Sequence, residues 1–294
     1  MDDIYDITKD LTKPGQTSLL PQYFYSDCMF ERFLDATQCE ADEISRAESI
    51  KGQTKTTEDY EIEHDNLEFF VERKEQFEIE FLKELSKRIT KRKATIFCKI
   101  ISDNWYDGRA KRNSLPVKRL FASIKNYLLE YKKVTNEDDI RVIYDVDDKI
   151  KPNFNDDDID AILEVNRQMF DGYISQWIEG HPNYFEMGSK DIYCRRGLFL
   201  EKPLDSEEYL EWNYINSYSI AFTVTEKFSQ MTDKATPAIL NTNLANLRDR
   251  ILFFSPFIKN MPIGQFELGI IPHWWTLRIS KQGTHGGIEE YLLD

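Results

Sequence analysis

Three short strings in the C-terminal half of the 294-residue chain carry side chains that could act together on one ligand. Tyr193-Cys194-Arg195-Arg196-Gly197 holds two guanidinium groups, each a planar donor fork that suits a phosphate. Ser217-Tyr218-Ser219 supplies hydroxyls that hold a neighbouring carboxylate still by hydrogen bonding. Gln265-Phe266-Glu267 ends in such a carboxylate. Placed beside a sugar carbon that is losing its substituent, and shielded from water, a carboxylate stabilises the oxocarbenium-like charge that develops there. Fork, brace and carboxylate are a minimal kit for breaking a glycosidic bond next to a pyrophosphate.

In order and spacing these strings resemble the Arg–Ser–Glu signature of the mono-ADP-ribosyltransferase family, over roughly residues 155–294. The resemblance implies a C-terminal split β-sandwich with NAD as co-substrate in the cleft between its sheets. It implies that Arg196 grips NAD phosphate or ribose, with Arg195 as the alternative and Gly197 beside them. Ser217 and Ser219 would brace the cleft, and Glu267 would stabilise the ribosyl cation through the 2′-hydroxyl. Gln265 would orient the acceptor. Family members with glutamine at that position tend to modify asparagine, glutamine or a nucleic-acid base, so the resemblance implies a non-arginine acceptor. Two positions depart from the family pattern: Tyr218 replaces the usual central threonine, and the residue before the arginine is not aromatic. Trp212 and Tyr214 flank the serine string and are read either as stacking on nicotinamide or as core aromatics.

The elements that must position these groups follow from patterning. Phe70, Phe77, Phe81, Leu82, Leu85 and Ile89 recur at helical spacing, and a second helical run starts near Pro116 with Leu120, Ile124, Tyr127, Leu128 and Tyr131. Asn155-Asp156-Asp157-Asp158 supplies a cap and early acidic residues for a helix from about Ile159 to Trp177. After Pro182 the texture changes to short β-type runs over 192–200, 213–222, 251–257, 267–272 and 274–280. Helices are expected from about Thr223, and over 236–250 with Thr236 as N-cap and Pro237 in the first turn. Glu289-Glu290 reads as a solvated tail beyond the last strand. The expectation is an α+β protein: a mostly helical module over 1–150 for recognition or partner binding, and a catalytic domain with a largely antiparallel β core over 151–294.

Composition limits the function classes. Fifty-two acidic against 38 basic residues give a formal charge of −14, which argues against bulk nucleic-acid binding by the whole surface. The segment 87–125 runs the other way, with 12 Lys/Arg and only Asp103 and Asp107 opposing them. Lys91, Arg92, Lys93, Arg109, Lys111 and Arg112, interleaved with Trp105, form a possible acceptor-binding face for nucleic acid. The alternative is a basic helix face that pairs with acids elsewhere in the same chain. The four cysteines and four histidines are scattered without metal-site spacing, so no metal and reduced thiols are expected. Asp145-Val146-Asp147 has a spacing that chelates Mg²⁺ or Mn²⁺ in other folds, but is read as an exposed acidic turn. Met1-Asp2-Asp3-Ile4 lacks the basic and apolar regions of a signal peptide, and no apolar run is long enough to span a bilayer. A cytoplasmic protein without membrane contact is therefore expected, with the setting of a bacterial or phage toxin, defence protein or injected effector. Its partners would be NAD, a protein or nucleic-acid acceptor, and an antitoxin or immunity protein; the alternative is a non-catalytic interaction protein with this fold.

Overall fold

The structure, a computed structural model, describes residues 69–105, 114–131, 149–180, 193–200, 209–210, 215–220, 225, 229, 236–261, 266–271, 277–285 and 288–293. Gln265, Trp212, Tyr214, Arg109, Lys111, Arg112 and the 140–148 run lie outside the described residues, as does nearly all of the helix expected from Thr223. Helices and a mixed sheet make the chain α+β. None of the described helices is long and apolar enough to cross a membrane.

Helix α1 (Lys74–Arg88) buries Phe77, Phe81 and Leu85 at the predicted helical spacing. Thr90 then caps α2 (Lys91–Ile100) by accepting from the Lys93 amide, and α2 runs on into a π-helical turn over Ile101–Trp105. Helix α3 (Leu115–Asn126) opens with proline in its first turn, where a missing amide hydrogen costs nothing. Helix α4 (Asp156–Gly180) starts at the predicted acidic cap. Asn155 Oδ1 accepts the Asp158 amide and Asp158 Oδ2 accepts the Asn155 amide, so two otherwise orphaned donors are satisfied reciprocally.

The strands are β1 (Tyr193–Leu200), β2 (Tyr209–Leu210), β3 (Asn216–Ser219), β4 (Thr236–Asn243), β5 (Ile251–Phe254), β6 (Glu267–Ile270), β7 (Leu277–His285) and β8 (Ile288–Leu293). They form one sheet in the order β2-β7-β8-β4-β1-β3-β6-β5, antiparallel except for the β4–β8 pair. Helices α1 to α4 pack at its β5 end, and one apolar core joins the two parts of the chain. The Phe254 ring meets Phe70, Phe170 and Phe257, and Phe257 stacks on Phe81. A smaller cluster of Ala238, Leu240, Ile279, Tyr291 and Leu293 serves the other end.

β5 is an edge strand, and its outward backbone is not left bare. The fully buried Asn166 of α4 donates Nδ2 to the Leu252 carbonyl at 2.7 Å and to the Ile162 carbonyl at 2.9 Å. Arg250, just before β5, is also buried and donates to the Ile271 and Asn246 carbonyls.

Two sequence expectations are corrected. Residues 236–243 are strand β4, not the start of a helix, and the stretch to Arg250 continues as two 3-10 turns. Ala238 to Thr242 are all buried between β1 and β8, and pairing on both sides outweighs a Thr-Pro opening that resembles a helix start. Glu289-Glu290 is not a tail but part of β8, where Glu290 is 1% exposed and Lys281 pairs with Glu289.

Candidate active site

The arginine and serine strings lie on β1 and β3, and Glu267 of the third opens β6, the next strand. Glu267 of β6 is the register partner of Ser219 on β3, Ser219 is the partner of Arg195 on β1, and Arg195 is the partner of Asn241 on β4. Residues directly opposite on paired strands point to the same face, and positions two apart share that face. Glu267, Ser219, Ser217, Arg195, Gly197 and Asn241 therefore belong to one face of the sheet. Arg195 and Glu267 are two strands apart, which sets their backbones roughly 10 Å from each other.

This row is polar and buried: Arg195 is 0% exposed and Glu267 8%. It continues to Glu290, whose Oε2 accepts Asn241 Nδ2 at 3.2 Å. Arg196, read with Arg195 as the alternative for gripping NAD, belongs to the opposite face, in register with Leu240. It still touches the site from behind, because Nη1 donates to the Ser217 carbonyl at 2.9 Å.

The geometry is closest at Glu267. Ser217 Oγ donates to Glu267 Oε1 at 2.5 Å, and Trp105 Nε1 donates to the same oxygen at 2.9 Å. One carboxylate oxygen takes both donors, and the other takes none among the described residues. The backbone around Glu267 is held as firmly. Its amide donates to the buried Ser255 Oγ at 2.9 Å, and Phe266 before it takes a positive φ of 42°. A non-glycine residue in that region is strained, and packing must hold it there. The Phe70 ring, 6.1 Å from Phe266 and edge-on, supplies part of that packing.

Trp105, singled out above as a surface aromatic for stacking bases, is instead buried. Its indole lies edge-on to Phe253 at 5.8 Å and to Phe121 at 6.2 Å. Gly269 makes room for this arrangement: a Cβ there would sit 2.1 Å from the Phe253 ring. Lys91 and Arg92 are exposed on α2, but Lys93 pairs with the buried Asp158 of the α4 cap. For Lys93, pairing with an acid of the same chain is what the structure has.

The sequence singles out Ser217, Ser219 and Glu267, which the structure brings to one face, but not Ser255 or Asn241, nor Trp105 as a partner of Glu267. Trp105 and Glu267 are 162 positions apart and no periodicity links them. Ser255 follows a buried strand in an apolar run, and Asn241 sits in a stretch that reads as helix.

Protein-family models, curated proteins and solved structures were all compared with the chain, and none matches.

Proposed function

We propose that the protein is an NAD-dependent mono-ADP-ribosyltransferase, which cleaves the nicotinamide–ribose bond and passes ADP-ribose to a macromolecular acceptor. The observation that carries this reading is the pinned carboxylate: Ser217 Oγ lies 2.5 Å from Glu267 Oε1, on the sheet face that also takes Arg195. The active part is the sheet, read as an ADP-ribosyltransferase-like core.

Glu267 is the catalytic carboxylate. Its unpinned Oε2 accepts from the ribose 2′-hydroxyl, and its negative charge stabilises the ribosyl cation as nicotinamide departs. Ser217 fixes the carboxylate so that no reorganisation is needed at the moment of bond breaking. Arg195 supplies the fork for the pyrophosphate, and Ser219 stands between fork and carboxylate. Arg195 is fully buried on that face. Arg196 braces the Ser217 strand from the other face. Gln265, two residues before Glu267, orients a non-arginine acceptor, which is a protein side chain such as asparagine or glutamine, or a nucleic-acid base.

The test is incubation of the chain with NAD labelled in the adenylate half and a lysate as acceptor. Label in a macromolecular fraction that protease releases marks a protein acceptor, and label that nuclease releases marks a base. Absence of label in every fraction, with no nicotinamide released, refutes the reading.

A further inference from the structure

The helical part of the chain reaches into the candidate site itself. Trp105 ends the π-helical turn that closes α2, and the wider π turn is a local departure that recurs at functional positions. Its indole is clamped edge-on between Phe121 of α3 and Phe253 of β5. The ring thus has little freedom, and its one polar atom points at Glu267 Oε1 at 2.9 Å. Trp and Ser217 share one acceptor oxygen, from opposite parts of the chain. A buried carboxylate with two donors on one oxygen is fixed in rotation, so Oε2 is presented in a single direction. Phe70, from the segment before α1, packs against the strained Phe266 that precedes Glu267, and the Glu267 amide donates to Ser255 Oγ after β5. Side chain and main chain of Glu267 are both secured by residues from outside the sheet.

We infer that Trp105 is a positioning residue for Glu267, and that the helical segment completes the site rather than serving only to recognise a target. The inference rests on the reading of Glu267 as the catalytic carboxylate. Trp105 touches no reacting atom; it acts by holding Glu267 Oε1 so that Oε2 meets the sugar. Its loss lowers the rate of bond cleavage and leaves dinucleotide affinity intact.

The experiment uses the full chain labelled with ¹⁵N-tryptophan, as wild type, Trp105→Phe and Glu267→Gln. Phenylalanine keeps the packing on Phe121 and Phe253 and removes only the donor. The Trp105 indole N–H resonance is assigned by its loss in Trp105→Phe. It moves upfield in Glu267→Gln, where a neutral amide replaces the carboxylate, while the other four of the five indole signals stay in place. Nicotinamide release by Trp105→Phe has kcat about tenfold lower with KM for NAD unchanged, the loss of one hydrogen bond to a charged group. An indole signal that stays in place in Glu267→Gln overturns the inference whatever the activity, and so does wild-type kcat in Trp105→Phe. If the signal moves but wild type releases no nicotinamide, Trp105 does hold Glu267 and it is the NAD reading that fails.

Discussion

Arg195 stands directly across from Ser219, while Arg196 is in register with Leu240 on the other face of the sheet. Two adjacent arginines thus have different surroundings although the sequence offers them as equals. Lysine at 195 keeps the charge but loses the bidentate fork, so Arg195→Lys raises KM for NAD by about 10-fold or more. Arg196→Lys removes one bond to the Ser217 carbonyl and changes KM by a few-fold at most. Steady-state kinetics of the two variants decide the assignment, and a larger KM effect at 196 reverses it.

Ser217→Ala removes one of the two donors on Glu267 Oε1 and leaves the strand intact. A hydrogen bond to a charged group is worth about 1.5–3 kcal/mol, so kcat for nicotinamide release falls roughly 10- to 100-fold. Ser217→Thr keeps the hydroxyl and recovers part of the rate. An alanine variant at full rate means the serine has no part in holding the carboxylate.

Gly269→Ala tests the packing behind Trp105. The added methyl would lie 2.1 Å from the Phe253 ring, so Phe253 and the indole on it must shift. Overpacking of this kind costs about 1–3 kcal/mol, read as a lower denaturation midpoint. A midpoint equal to wild type contradicts the close approach.

Asn166→Leu has a different origin. It strands the Leu252 carbonyl at the sheet edge, where Asn166 now donates at 2.7 Å. The expected loss is about 1–3 kcal/mol, because a buried backbone acceptor is left unsatisfied. Unfolding in urea measures it, and an unchanged free energy shows that the edge is covered by something else.

Burial pushes the thiols of Cys98 and Cys194 up to about 12. At pH 8 their thiolate fraction is then roughly a thousandfold below that of an ordinary thiol. Peptide mapping after a maleimide pulse should find both unlabelled in the native chain and labelled in urea. Labelling becomes faster as pH rises toward 12, since the thiolate is the reactive form. Rapid native labelling of Cys194 at pH 8 contradicts its burial.

How much of this was legible in the sequence depends on the range of the interactions. The α4 cap and the apolar stripe of α1 are set by neighbours a few residues away, and both appear where the sequence placed them. The arginine string, the serine string and Glu267 fall on strands because each sits in a β-type run. β4 was misread because Thr236-Pro237 mimics a helix start, whereas its strand state comes from β1 and β8, neither of them local. β8 was hidden by Glu289-Glu290, although Gly286-Gly287 between the register partners His285 and Ile288 was an available hairpin signal. Trp105 was misassigned for a related reason: basic neighbours suggested a surface, and only the fold turns the indole inward onto Glu267.

Nicotinamide release from NAD by wild type and by Glu267→Gln, with circular dichroism to verify that both are folded, bears most directly on the central claim. Glutamine keeps the shape and an oxygen for Trp105 and Ser217 but removes the charge. The account predicts turnover by wild type and a loss of at least about a hundredfold in the variant, the scale expected when a preorganised electrostatic group is removed. Equal rates in the two folded proteins, or no release by either, would contradict it.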